Sequence, residues 1–294
     1  MINYNNLITK FINNYFFILL IIIIILIIFF LYYYYYMKGK ISRIVVFDLD
    51  ETIGCFQQLG IFCDALERFN KTKLTRKEFM DILDLYPEYF RPNLFNIMKF
   101  LKEKKSKGNL QKIVLYTNNN GPKEWAKRIC LYIDKKLDYK LFDNHIGAYK
   151  VNGQQIEMMR TTHEKTIEDF FRTTRFSKTS EVCFIDDLYH DKMDGDNVYY
   201  IHVEPYKIAL PDKVLIDRYY TKYLSKYSYE KFYKTISDFL KMYNLSDLKT
   251  DAIDDDYNGK LILSHLQIFL QSTKRSSRKN KRNNYNNKNI TYKK

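Results

Sequence analysis

Two carboxylates spaced two residues apart stand at the end of an apolar run near the start of the chain. The run is VVFDLDET at residues 45–52, and it contains Asp48 and Asp50. Residues two apart on an extended chain face the same side, so these side chains can converge while Leu49 turns back into the core. Close carboxylates repel, and a divalent cation or a proton on one of them resolves the repulsion. The pair therefore suits an aspartate that attacks phosphorus beside a carboxyl group that handles the leaving-group proton.

Two further apolar runs also end in polar residues. The run IVLY is followed by Thr117 and Asn118, and the run VCFI is followed by Asp186 and Asp187. A hydroxyl group at the first position can hydrogen-bond a phosphoryl oxygen, and paired acids after a buried strand indicate a hard-cation site. Lys165 lies between the two runs, at the start of a helical stretch. This order supplies a nucleophile, phosphate donors, a fixed cation and metal ligands, which is what phosphoryl transfer requires.

The elements that must position these residues follow the pattern of a parallel sheet with crossover helices. Short apolar runs alternate with helical periods between residues 43 and 245, which predicts an α/β fold. The predicted strands are 43–47, 112–116, 181–185 and 198–203. Residues 53–90 form a predicted helical insertion, with Thr75 and Glu78 placed as a capping box. The next helix is predicted to open at Pro92.

The order of these motifs resembles that of the haloacid-dehalogenase (HAD) superfamily. Within it, the chain is most similar to the phosphatases that act on the C-terminal domain (CTD) of RNA polymerase II and to their small relatives. That similarity rests on FDLDET at 47–52, on FRP at 90–92 and on the strand and turn at 113–118. It covers roughly residues 43–205 without the insertion. The chain departs from the subfamily at 188–190, where LYH replaces the usual Ser-Pro, and in the length of the insertion.

The resemblance implies a HAD-like, Rossmann-type fold and a phosphatase that works through an aspartyl-phosphate. Asp48 would be phosphorylated, and Asp50 would act as general acid and then as general base. Phosphate binding is assigned to Thr117, Asn118 and Lys165, which would offset the developing negative charge.

The same resemblance implies Mg²⁺ as the cofactor. The metal ligands would be Asp48, the Asp50 backbone carbonyl and one of Asp186 or Asp187. By the subfamily pattern Asp187 is the direct ligand, and Asp186 supports it. Thr52 would brace the loop. His190 follows the acid pair, but a lone loop histidine is expected to have no catalytic role.

The substrate predicted from this resemblance is a phosphorylated protein, which makes the chain a protein-serine/threonine phosphatase. One alternative is a phosphatase of nucleic-acid 3′ ends or small phosphate esters. Another is an inactive HAD-fold binding module or membrane tether. The departures at 188–190 and in the length of the insertion affect the predicted substrate and leave the predicted reaction unchanged.

The N-terminal segment is strongly apolar. Residues 15–36 carry no charge, Gly or Pro, and this stretch is long enough for a transmembrane helix. Tyrosines at the end of the stretch suit the headgroup interface. Positive residues after the segment would place the rest of the chain in the cytoplasm, as a membrane-anchored enzyme. If Met37 is instead the natural start, residues 1–36 are not expressed and the protein is soluble in the cytoplasm or nucleus.

The far end of the chain is basic. The formal net charge is +14, and residues 273–294 carry nine Lys or Arg and no acid. Such a tail is predicted to be disordered; it either solubilises the protein or contacts nucleic acid or an anionic membrane. We divide the chain into an apolar segment (1–36), a HAD-like domain (37–245), a C-terminal helical extension (246–272) and this tail. The four cysteines contain no C-x-x-C pair, which favours a reducing compartment.

Overall fold

The computed structural model describes residues 4–38, 42–121, 124–224, 228–243, 245 and 255–271. The predicted basic tail at 273–294 and most of the segment before helix α9 lie outside this range. The chain separates into two compact units, Met1–Ser42 and Arg43–Lys294.

The first unit contains helix α1, Tyr4–Lys38. Its stretch Tyr15–Tyr32 has a mean hydropathy of 3.3, and all of its side chains are exposed. At 1.5 Å per residue these 18 residues span about 27 Å, close to the ~30 Å of a bilayer core. By length and composition, α1 can therefore cross a membrane, as an anchor or as a signal segment does.

The second unit is built on a parallel sheet of five strands. They are β1 Arg43–Phe47, β2 Lys112–Tyr116, β3 Asn144–Ile146, β6 Glu181–Asp186 and β7 Val198–His202, in the order β3-β2-β1-β6-β7. A separate two-stranded hairpin consists of β4 Lys150–Val151 and β5 Gln154–Gln155. The α/β class with a parallel sheet, predicted from the alternating pattern, is confirmed.

Helices cover both faces of this sheet. Their bounds are α2 Gln57–Asn70, α3 Arg76–Leu85, α4 Leu94–Ser106, α5 Trp125–Leu137, α6 Ile167–Thr174, α7 Asp212–Tyr219, α8 Tyr229–Leu240 and α9 Asp255–Gln271. Alternate residues of a strand point to opposite faces. Val45 and Phe47 of β1 accordingly join the larger core, whereas Ile44 and Val46 join a smaller core with Phe170 of α6.

The segment 53–90 contains α2, α3 and a short 3₁₀ turn at Pro87–Tyr89. The predicted capping box is present, because the Thr75 side chain accepts from the Glu78 N–H and the Glu78 side chain accepts from the Thr75 N–H. The helices of this insertion pack into the main body of the second unit. Leu59, Phe62 and Leu66 of α2 are fully buried in the larger core, and α2 packs against α8.

One strand and three boundaries differ from the sequence prediction, among them the end of β7, which is His202 and not residue 203. Strand β3 was missed because its three residues, Asn-His-Ile, contain no apolar run. Strand β6 extends one residue further than predicted, so Asp186 belongs to the strand itself. Helix α4 begins at Leu94 and not at Pro92, because Asn93 between them has a left-handed backbone with φ 64°.

Candidate active site

The candidate catalytic residues lie where three neighbouring strands end. Strands β2, β1 and β6 are adjacent and parallel, so their carboxyl ends share one edge of the sheet. The register pairs Phe47 with Ile185, which brings Asp48 and Asp186 to the same level. The Asp48 N–H donates to the Ile185 carbonyl at 2.9 Å. The chain order reverses around β1, and such switch points are where open α/β sheets bind ligands.

Lys165 joins two of the strand ends. It precedes α6, whose N-cap is Thr166, and it is 2% exposed. Its ammonium group contacts a carboxylate oxygen of Asp48 and lies 2.6 Å from Oδ2 of Asp186. A buried ammonium group is costly without such partners, so the two carboxylates account for its position. The sequence named these three residues, and the fold brings them into one buried cluster.

A third carboxylate, Asp187, completes an acidic triad with Asp48 and Asp186. One carboxylate oxygen from each lies within 4.8 Å of the others, and all three residues are buried. Oxygen donors of this kind suit a hard divalent cation, whereas zinc and copper sites draw on nitrogen or sulfur ligands. The triad can therefore hold a metal ion.

The electrostatics of the cluster follow from burial. Burial raises the pKa of Asp48 from 3.8 to about 7; Lys165 lowers it, and Asp186 adds to the rise. Burial likewise raises the pKa of Asp187 to about 6, against a hydrogen bond from Thr52. Burial also works to raise the pKa of Asp186, but the charge and the hydrogen bond of Lys165 bring it below its usual value, with His190 nearby. These carboxylates therefore carry more negative charge than Lys165 alone neutralises.

Asp50 stands at the mouth of this cluster. It is partly buried, and its Oδ2 accepts a 2.7 Å hydrogen bond from the Asn119 side chain. Burial raises the pKa of Asp50, while the Asn119 hydrogen bond opposes the rise. A carboxyl group with a raised pKa at the open side of the site is suited to donate a proton to a leaving group.

The remaining predicted residues fall in different surroundings. Thr52 donates to Oδ1 of Asp187 at 2.8 Å, and its own oxygen accepts from the Asp187 N–H at 3.1 Å. Thr117 is 2% exposed at the end of β2, where its hydroxyl accepts from the Asn119 N–H at 3.0 Å. Asn118 is exposed, and its side chain forms no hydrogen bond with a described residue. The neighbouring Asn119 makes the contact to Asp50 instead.

Sequence reasoning also missed Arg160, which is 1% exposed. Its guanidinium donates to the carbonyls of Thr117, Gly147, His163 and Glu164 at distances from 2.8 to 3.4 Å. These acceptors lie after β2, after β3 and just before Lys165. Arg160 thus ties two strand ends to the loop that carries the lysine. Its spacing five residues before Lys165 was the only available signal, and spacing alone does not show burial.

His190, for which no catalytic role was predicted, lies near the acidic cluster. Its side chain is 11% exposed, and its Nε2 lies 3.5 Å from Oδ2 of Asp186 without forming a hydrogen bond with a described residue. The histidine therefore stands behind the acidic cluster, and its lack of a catalytic role stays a prediction.

No protein-family model matches this chain, and neither does any curated protein.

Proposed function

We propose that this chain is a Mg²⁺-dependent phosphatase of the HAD superfamily, similar to the CTD phosphatases, that works through a phosphorylated Asp48. The observation that carries the proposal is the buried contact of Lys165 with both Asp48 and Asp186, beside Asp187. A nucleophile, a fixed cation and metal ligands converge at one sheet edge, which is the equipment of phosphoryl transfer.

The residues present fit a Mg²⁺ ion. Three buried carboxylates lie within ligand reach of one another; burial, with the neighbouring carboxylates adding to it, raises the pKa of Asp48 and of Asp187, and a divalent cation would offset the cost of ionising them. Asp48 and Asp187 would hold the ion with the Asp50 carbonyl, and Asp186 would support them while it holds Lys165. When bound, the metal supplies charge neutralisation to the phosphoryl group.

The protein groups then have separate tasks. A carboxylate oxygen of Asp48 attacks phosphorus, and the bond from phosphorus to the leaving oxygen breaks. Asp50 gives that oxygen its proton and later takes one from the water that hydrolyses the aspartyl-phosphate. Lys165 and Thr117 stabilise the phosphoryl oxygens, and Asn119 orients Asp50.

The proposed substrate is a phosphoserine or phosphothreonine segment of a protein. Support comes from access, because an open pocket of about 540 Å³ adjoins Asp50. An extended phosphorylated segment can reach the catalytic pair through such an opening. We further propose that α1 anchors the enzyme and that its catalytic unit lies in the cytoplasm.

The test is hydrolysis of para-nitrophenyl phosphate by the full chain, kept in detergent because of α1. We expect activity that needs Mg²⁺, is lost with a chelator, and falls at least about a thousandfold in Asp48→Asn. Asp238→Asn, an exposed change of the same kind on α8, is the matched control and retains activity. Equal activity in Asp48→Asn and wild type would refute the nucleophile. A comparison of phosphopeptides with a 3′-phosphorylated oligonucleotide then separates the substrate classes.

A further inference from the structure

An open pocket adjoins Asp50 beside the acidic cluster. It has a volume of about 540 Å³, and Asp50 and Asn119 form part of its lining. If Asp50 protonates the leaving oxygen, the group attached to that oxygen must extend past it. The pocket is therefore placed to receive the part of the substrate next to the phosphate.

One wall of the pocket is apolar. It includes Phe56, which is 2% exposed, and Trp125, which is 9% exposed. Trp125 packs edge to face on Phe79 with ring centroids 5.1 Å apart. A Cβ at Gly60 would lie 3.6 Å from the indole, in ordinary van der Waals contact, so α2 runs close to the ring at this position. Such a wall suits the hydrocarbon part of a long side chain.

Two further acidic residues line the pocket, beside uncharged polar ones. Glu51 and Asp64 line the pocket, and no described lysine or arginine does. Lys207 lies 3.8 Å from Glu51 and offsets part of its charge. Asp64 is exposed and forms no ion pair with a described residue; Lys73 and Arg68 lie near enough to offset part of its charge, although Lys73 itself pairs with Glu67 at 2.6 Å. The described residues that line the pocket therefore carry acidic groups and no basic one.

One feature of the pocket opposes this acidic charge. Helix α2 begins at Gln57, and its N-terminus carries no side-chain cap. A helix N-terminus is equivalent to about half a positive charge. The two carboxylate charges exceed it, with Lys207 partly offsetting that of Glu51 and with Arg68 and Lys73 partly offsetting that of Asp64. The pocket therefore favours a cation over an anion.

We propose that this pocket binds a lysine or arginine side chain next to the phosphorylated residue of the substrate. The stem of that side chain lies along Phe56 and Trp125, and its charged end meets Glu51 and Asp64. This inference rests on the proposed function and narrows its substrate to phosphoserine or phosphothreonine segments with a basic neighbour. Nucleic-acid ends are disfavoured, because their further phosphates would face these carboxylates.

Trp125 is the only tryptophan in the chain, so its fluorescence reports occupancy of the pocket directly. The ligands are three phosphoserine peptides of equal length that differ only in a neighbouring Lys, Gln or Glu. They are titrated into the full-chain Asp48→Asn variant, which removes the nucleophile. We expect the Lys peptide to bind about tenfold more tightly than the Gln peptide, and the advantage to shrink at high salt. Adding Asp64→Asn to this variant lowers the advantage of the Lys peptide over the Gln peptide to about threefold, whereas adding Asp238→Asn leaves that advantage unchanged.

Hydrolysis of the same peptides by wild type separates the two proposals. Preferred binding of the Lys peptide without any hydrolysis, para-nitrophenyl phosphate included, would refute the phosphatase and leave the pocket assignment standing. Active enzyme with equal kcat/KM for Lys and Gln peptides, and equal binding, would overturn the pocket assignment alone. Tighter binding of the Glu peptide or of a 3′-phosphorylated oligonucleotide would overturn it as well.

Discussion

Binding of Mg²⁺ to the acidic triad is predicted to weaken steeply below pH 7. A ligand carboxyl group must lose its proton before it binds a metal, so protons and the ion compete. Asp48 has a pKa of about 7, and at pH 5 its protonated form therefore outweighs the ionised form about a hundredfold. Asp187, with a pKa of about 6, adds about a further tenfold. Affinity at pH 5 should thus be at least about a hundredfold lower than at pH 8.

The same pKa values predict how stability depends on pH. A carboxyl group whose pKa is higher in the folded than in the unfolded chain binds the proton more tightly when folded. The metal-free protein therefore loses stability as pH rises from 3.8 to about 7, by up to about 4 kcal/mol from Asp48 alone. Mg²⁺ neutralises the charge responsible, so its stabilising effect should be small at pH 5 and large at pH 8.

Calorimetric titration of Mg²⁺ at pH 5, 6, 7 and 8, with thermal unfolding in Mg²⁺ and in chelator, measures both effects. The Asp48→Asn variant is the internal control, because it removes the hundredfold component and leaves the smaller one from Asp187. A Mg²⁺ affinity that changes less than about threefold across this range would refute the assignment of Asp48 as a ligand with a raised pKa. Equal stabilisation at pH 5 and pH 8 would refute it too.

Three substitutions test the rest of the site. Lys165→Met should abolish activity. In metal-free buffer it should also lower the free energy of unfolding by about 3–5 kcal/mol, because it leaves buried carboxylates without their cation. Urea denaturation measures this loss. Arg160→Lys should lower the free energy of unfolding by about 2–4 kcal/mol in the same assay, and it should lower kcat. The reason is that an ammonium group cannot donate to four carbonyls that are arranged around a planar guanidinium. Asn119→Ala removes a hydrogen bond that lowers the pKa of Asp50, so the alkaline limb of the kcat profile, where Asp50 loses its proton, should move to higher pH.

Each substitution has a matched control on the surface. Lys192→Met and Arg172→Lys alter exposed or half-exposed cations outside the cluster, and Asn109→Ala alters an exposed asparagine that does not line the pocket. These variants should behave as wild type in the same assays. An Arg160→Lys protein with unchanged stability and kcat would show that the carbonyl contacts do not position Lys165. An unmoved pH profile in Asn119→Ala would remove Asn119 from its role beside Asp50.

Much of the fold could be predicted because it depends on local pattern. The apolar runs of β1, β2 and β6 and their polar ends are visible in the chain, as are the capping box of α3 and the apolar stretch of α1. Strand β3 was not visible, because three residues with one apolar side chain carry no periodicity. Its pairing depends on β2 beside it.

In the candidate site, too, some features follow from local sequence pattern and others depend on tertiary contacts. The types and order of Asp48, Lys165, Asp186 and Asp187 follow from the sequence, because each stands at the end of an apolar run or opens a helix. The contacts between these residues do not follow from the sequence. Lys165 is 117 residues from Asp48 along the chain, and the two meet only because the chain crosses over to the neighbouring strand.

Tertiary structure also decided between neighbours that the sequence could not rank. It turned Asn119 towards Asp50 and left Asn118 exposed. It buried Arg160 among four carbonyls and brought His190 to 3.5 Å from Asp186. A sequence determines which groups a strand end can offer. The direction of each side chain and the pKa it acquires depend on burial and on partners distant in the chain, which only the packed structure supplies.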